Sequence, residues 1–136
     1  MPWTTHLLVV ANRTAGSGEL VSYLRDRARS GPIRVTLTIP VEVGNRDAAR
    51  ARLAGALEVL RAAGVDAHGS VAQDGDPVHA VLDAYDPARH DEIVVVTLPG
   101  HLSRWLGCDV PQRVQRATDA LVRHVEARSA VPALRA

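Results

Sequence analysis

Two short stretches of this chain hold residue types that could do chemistry. The first is Asn12-Arg13-Thr14, directly after an apolar run. The second is Gly100-His101-Leu102-Ser103-Arg104, followed shortly by Cys108-Asp109. An arginine can clamp a phosphate through two parallel N–H donors. Thr14, Ser17 and Gly18 add donors at the start of a helix. Arg13 and Arg104, both near the carboxyl ends of predicted strands, are therefore candidate anion-binding residues. The same residue types also serve as ordinary caps and solvated loop groups. His101, Cys108 and Asp109 offer a different chemistry, a thiol nucleophile with a base, as in a small hydrolase or transferase. A reactive cysteine needs that base in place and an electropositive setting. Nothing in the spacing sets His101 against Cys108, so no catalytic residue is assigned.

A metal site is not expected. Zinc needs three or four convergent ligands, and the remaining histidines, His6, His68, His79, His90 and His124, show no ligand spacing. Cys108 is the single cysteine, which excludes an intrachain disulfide and any multi-cysteine cluster. Asp83, Asp86 and Asp91 read as a polar helix face and a turn rather than as paired catalytic carboxylates.

The bulk composition narrows the classes further. The 136 residues suit one domain with its own core. Hydrophobic residues make up 46% and aromatics only 3%, with no Phe, so the core must be built from Val, Leu, Ile and Ala. That is the composition of a parallel sheet covered by Ala-rich helices. The 16 basic residues, all Arg, nearly balance 15 acidic ones, for a net charge of +1. No strong field for nucleic acid or anionic lipid follows. The lack of Lys removes Schiff-base chemistry and a P-loop lysine. No apolar run reaches the roughly 18 residues of a membrane span, and the first residues have no signal-like pattern. A cytoplasmic protein is expected.

The elements that would position these residues alternate between strand and helix. Residues 6–12 form an apolar run, a buried strand. Residues 18–30 place Leu20, Leu24 and Ala28 on one helical face, with Ser17 as cap and Gly31-Pro32 as stop. Residues 33–40 alternate as a strand. A long helix starts at Asn45 or Arg46 and ends at Gly64, with Ala49, Leu53, Leu57 and Leu60 inward. Residues 65–71 form a weakly patterned strand. Asp76-Pro77 starts a helix that buries Val78, Val81, Leu82 and Tyr85. Residues 91–97 contain Ile93-Val94-Val95-Val96, apolar on both faces, as in a central strand. Asp109 caps a last helix to about Thr118, with Val110, Val114 and Ala117 inward. Residues 121–126 fit either a fifth strand or more helix. Trp105 and Leu106 fit a plug between the last helix and the sheet, and residues 129–136 read as a flexible tail. Alternating β and α elements imply a parallel sheet with helices on both faces and right-handed crossovers.

Several local motifs resemble the universal stress protein family. Gly75-Asp76-Pro77, the Val78/Val81-Leu82 helix and Asp91-Glu92-Ile93-Val94-Val95-Val96 resemble its third helix and fourth strand. Leu102-Ser103-Arg104-Trp105-Leu106 with Val110, Arg113 and Val114 is similar to the entry of its last helix. Residues 6–14 resemble its opening strand and loop, and residues 40–70 match in pattern only. The resemblance implies a three-layer α/β sandwich of the flavodoxin-like, adenine nucleotide alpha hydrolase-like type. Its five-stranded parallel sheet would have the order 3-2-1-4-5, in one domain over residues 1–128.

The family's nucleotide-binding branch carries Gly-x-x-Gly, nine residues, then Gly-Ser/Thr after the fourth strand. Here Gly100 fits the first glycine, the loop is about two residues short, the second glycine is missing, and Cys108-Asp109 stands at the final pair. Asp109 would cap the helix N–H groups itself and set a negative charge where phosphate would sit. That repulsion is worth about 1 to 4 kcal/mol. At the first loop, Asn12-Arg13-Thr14 replaces the usual Asp-Gly-Ser. The resemblance therefore implies a non-catalytic stress-response or interaction module that does not bind ATP. It would act as a homodimer with an unknown protein partner. Family dimers commonly form through the fifth strand, where Arg123, His124 and Glu126 would discourage pairing here. The alternative is an adenine-nucleotide sensor that binds ATP or AMP through Asn12, Arg13, Thr14, Gly100, His101 and Arg104.

Overall fold

A computed structural model describes residues 3–12, 14–41, 45–97 and 110–127. They alternate as β1 (Thr5–Val10), α1 (Gly18–Arg29), β2 (Ile33–Ile39), α2 (Arg46–Ala62), β3 (Ala67–Val71), α3 (Pro77–Ala84), β4 (Glu92–Thr97), α4 (Val110–Thr118) and β5 (Val122–Glu126). The sheet order is β3-β2-β1-β4-β5, and every neighbouring pair is parallel. This is the three-layer arrangement the alternating pattern implies.

The sheet divides the core by strand parity, because successive side chains point to opposite faces. Leu7, Val9, Val35, Leu37, Val94 and Val96 pack with Leu20 and Leu24 of α1 and with Ala49, Ala56 and Leu60 of α2. Leu8, Val10, Ile93 and Val95 pack with Val78, Ala80 and Val81 of α3 and with Val110 and Val114 of α4. All six residues of β4 are buried, the polar Glu92 and Thr97 at its ends as well as the apolar run 93–96 between them. The middle strand of the sheet is nevertheless β1. β4 lies one place further out, and α1 and α4 with β5 beside it keep both its faces dry.

Helix boundaries follow local chemistry. Ser17 Oγ accepts from the N–H of Leu20 (3.2 Å) and starts α1. Asp76 Oδ1 accepts from the N–H of Val78 (2.8 Å), with Pro77 in the first turn of α3. Gly64 takes φ +87° just beyond α2, a conformation that a side chain would resist. The choice left open for residues 121–126 resolves as strand. Asp119 adopts a left-handed φ of 57° and its N–H closes on Gln115 O, which ends α4 and turns the chain into β5.

Three inward assignments are corrected. Ala28, Leu82 and Ala117 are all exposed, and Leu82 keeps 48% of its surface. Each sits at the margin of a helix whose buried stripe is narrower than the hydrophobic pattern suggests. On α1, Arg27 and Tyr23 take the side of the helix next to the sheet that Ala28 was expected to occupy. Ala56 and Ala80 are buried instead, since small side chains let α2 and α3 lie close to the strands. Among the described residues no helix is long and apolar enough to cross a membrane.

Candidate functional site

The strand order reverses between β1 and β4, so the crevice at their carboxyl ends is where an open parallel sheet accepts ligands. Asn12 follows β1 directly. Ala15 N donates to Asn12 O (3.1 Å) and Ser17 N donates to Thr14 O (3.0 Å). These consecutive turns tie the loop down as it enters α1. Thr14 is 3% exposed, and its hydroxyl donates to the carbonyl of Val96 at the end of β4 (3.4 Å). The first loop is thereby fastened across the switch point.

Among the described residues, three polar side chains at this end, Asn12, Thr14 and Thr97, have partners within the protein. Arg52 Nη1, from α2, donates to Asn12 Oδ1 at 2.7 Å. Thr97 Oγ1, the last residue of β4, lies 2.6 Å from His124 Nε2 on β5. Of the six candidate binding residues, Asn12 and Thr14 are thus brought to one crevice. Arg13, Gly100, His101 and Arg104 lie outside the described residues, as do Trp105, Cys108, Asp109 and the tail from 129 to 136. Arg52 carries one signal in the sequence. It follows the buried Ala49 by three positions and so flanks the inward stripe of α2. That spacing says which side of the helix it leaves from, but only the register of α2 against β1 brings it to Asn12.

A second polar cluster forms at the carboxyl end of β3. His79 Nδ1 lies 3.0 Å from Asp74 Oδ2, and its Nε2 lies 3.8 Å from Asp76 Oδ2. Arg113 of α4 reaches the same Asp76 oxygen at 3.7 Å. Arg46 Nη2 donates to Gln73 O at 3.4 Å. The hydrogen bond with Asp74, then the charges of Asp76 and Asp74, raise the imidazole of His79 above its ordinary 6.5. The Asp76 N–H first, and His79 second, hold the Asp74 carboxyl below its ordinary value. A raised histidine stabilises the fold below the ordinary value, and that contribution is lost as pH rises through the folded one. Both side chains are open to solvent, so the effect is read as a titration rather than as stability. His79 in the full chain should titrate above 6.5 by NMR, and Asp74→Asn should move it down. An unchanged midpoint in that variant would refute the pairing.

Among the described residues, no group of three or more His, Cys, Asp or Glu side chains is arranged to hold a metal ion.

No protein-family model matches the chain, and no curated protein sequence matches it significantly. Among solved structures it is similar to a universal stress protein in complex with cAMP. The TM-score is 0.65 and the identity 21%, over 93% of this chain and 99% of that one. At that coverage and TM-score the likeness shows the fold, so this chain has the fold of a universal stress protein.

Proposed function

We propose that this universal stress protein-like domain is a non-catalytic interaction module, acting as a homodimer, whose crevice does not serve ATP. The supporting observation is the internal pairing at the carboxyl ends of β1 and β4. The acceptor of Asn12 is taken by Arg52, the hydroxyl of Thr14 by Val96 O, and the hydroxyl of Thr97 is engaged by His124. A nucleotide that used these atoms would first have to break their bonds. A neutral hydrogen bond contributes about 0.5–1.5 kcal/mol net, and one to a charged group about 1.5–3. A negatively charged Asp109 and the shortened glycine segment add a penalty for a triphosphate, from the residue types alone.

Calorimetric titration tests this directly. ATP is expected to show no binding in the micromolar range, and sedimentation is expected to show a dimer. A monomer at all accessible concentrations would remove the homodimer from the proposal.

The second reading, an adenine-nucleotide sensor, is favoured by two specific observations. The similar solved protein holds cAMP. Arg52 also places a fixed positive charge beside Asn12, suited to the single charge of a cyclic phosphate. Micromolar binding of cAMP, AMP or ATP would replace the first reading with this one, with Asn12, Arg13, Thr14, Gly100, His101 and Arg104 as its candidate contacts.

A further inference from the structure

The corner between α3 and β4, at the opposite end of the sheet from the crevice, is closed by a histidine. His90 Nδ1 accepts the backbone N–H of Asp86 at 3.0 Å. An amide can only donate, so this nitrogen must be unprotonated. The ring stacks on Tyr85, with centroids 6.1 Å apart and planes 25° apart. Tyr85 in turn packs against the core beneath α3. Asp86 O accepts from the N–H groups of Arg89 (2.9 Å) and His90 (2.8 Å), and Asp86 Oδ1 accepts from Ala88 N (2.9 Å). The next residue, Asp91, clasps β1 at two points: its N–H donates to His6 O and its Oδ2 accepts from His6 N, each at 2.8 Å. The imidazole therefore holds a knuckle that in turn holds the start of β1 against β4.

We infer that this corner is an acid-sensitive latch, kept shut by the neutral imidazole of His90 and released when the ring takes up a proton. Protonation puts an N–H where Asp86 already points one, so the hydrogen bond is replaced by two donors facing each other. The surrounding charges are mixed. Arg89 and the carboxylates of Asp86 and Asp91 lie on the corner itself. His6 faces it from β1, and His68 from β3. Arg34 of β2, the register partner of His6, is paired with Asp66 (3.1 Å). Burial first, then His6, Arg89 and His68, hold the ring below its ordinary 6.5, and only Asp86 pulls the other way. For a histidine depressed in the fold, the stabilising contribution is present above the ordinary value and is lost as pH falls through the folded one. The latch is thus closed near neutrality and opens on acidification, independently of what the crevice binds.

The test is amide hydrogen exchange on the full chain, corrected for the intrinsic pH dependence of exchange. From about pH 7 to about pH 5, across the histidine range, opening of residues 86–91 should rise about fivefold, the factor one net hydrogen bond contributes. His90→Asn keeps an acceptor near the Nδ1 position and cannot titrate, so its protection should hold at both pH values. The same acid loss in His90→Asn, or no loss in the unaltered protein, would overturn the latch. Nitrogen NMR of the unaltered protein gives a readout that needs no variant. The proton is expected on Nε2, with a titration midpoint below 6.5. A proton on Nδ1 at neutral pH, or a midpoint at or above 6.5, would equally overturn it.

Discussion

Replacing Arg27 by methionine is expected to lower stability by about 3 kcal/mol, near the lower end for breaking a buried ion pair. Arg27 lies in the last turn of α1 and grips Glu92, the first residue of β4, with two parallel bonds of 2.8 Å. Its guanidinium also donates to Tyr23 Oη (3.0 Å) and lies 5.9 Å from the centre of that ring. Arg123 of β5 stands 3.7 Å from the same carboxylate. The Glu92 side chain is only 12% exposed, so removing Arg27 leaves a charge that water cannot reach well. Arg27 itself is 25% exposed and Arg123 remains, which places the loss at the low end of the range. The hydrogen bonds from Arg27, opposed by burial, hold Glu92 below its ordinary 4.5. The Glu92 carboxylate raises Arg27 in turn. Stability from this pair is therefore full above the ordinary carboxylate value and is lost as pH falls through the folded one. Urea midpoints measured across that acid range check both statements. The double variant Arg27→Met with Glu92→Leu should recover most of the loss, because it removes the buried charge along with its partner. A single variant within about 0.5 kcal/mol of the parent would mean that the pair is not a structural tie.

The second large effect is expected at Gly69, in β3. A Cβ there would run into the backbone carbonyl oxygen of Leu37 on β2, and would also come within 3.0 Å of its carbonyl carbon and 3.1 Å of its Cβ. Leu37 is fully buried and paired in register with Gly69, so neither strand can give way without disturbing the β2–β3 ladder. Gly69→Ala should therefore destabilise by about 2 kcal/mol or more, at the upper part of the range for overpacking. Gly55 is the control. It lies mid-helix on the exposed side of α2 with nothing within 4 Å of an added Cβ. Gly55→Ala should stabilise by roughly 0.5–1 kcal/mol. Equal and small shifts in the two unfolding midpoints would contradict the close strand contact.

Much of the architecture is readable in the order of residues. The unbroken apolar run at 93–96 suits a strand covered on both sides. Ser17 and Asp76-Pro77 are unambiguous helix starts because their side chains, and the missing proline N–H, satisfy what a helix beginning leaves open. The alternation of those elements restricts the sheet to a parallel one. At the crevice, Asn12 and Thr14 were identifiable as the loop at a strand's carboxyl end. Their partners were not. Hydrogen bonds between Arg52 and Asn12, Thr14 and Val96, or Thr97 and His124 join residues 40, 82 and 27 positions apart. Periodicity reports which way a side chain leaves its own element, and is silent on which other element stands opposite.

The same distinction separates the features on which the two largest predictions and the latch depend. Local chemistry, set by neighbours a few positions away, is carried in the order of residues: strand runs, caps, turn residues and the overall α/β class. Whether Arg27 is a solvated helix cation or half of a buried pair depends on the crossover that lays α1 over the start of β4. Whether Gly69 is idle or indispensable depends on how closely β3 approaches β2. Whether His90 is an ordinary surface imidazole depends on the turn that aims an amide at its ring and on the histidines that neighbouring strands bring near it. Each of those is a long-range contact whose energy exists only once the sheet has assembled, so the tertiary structure alone decided it.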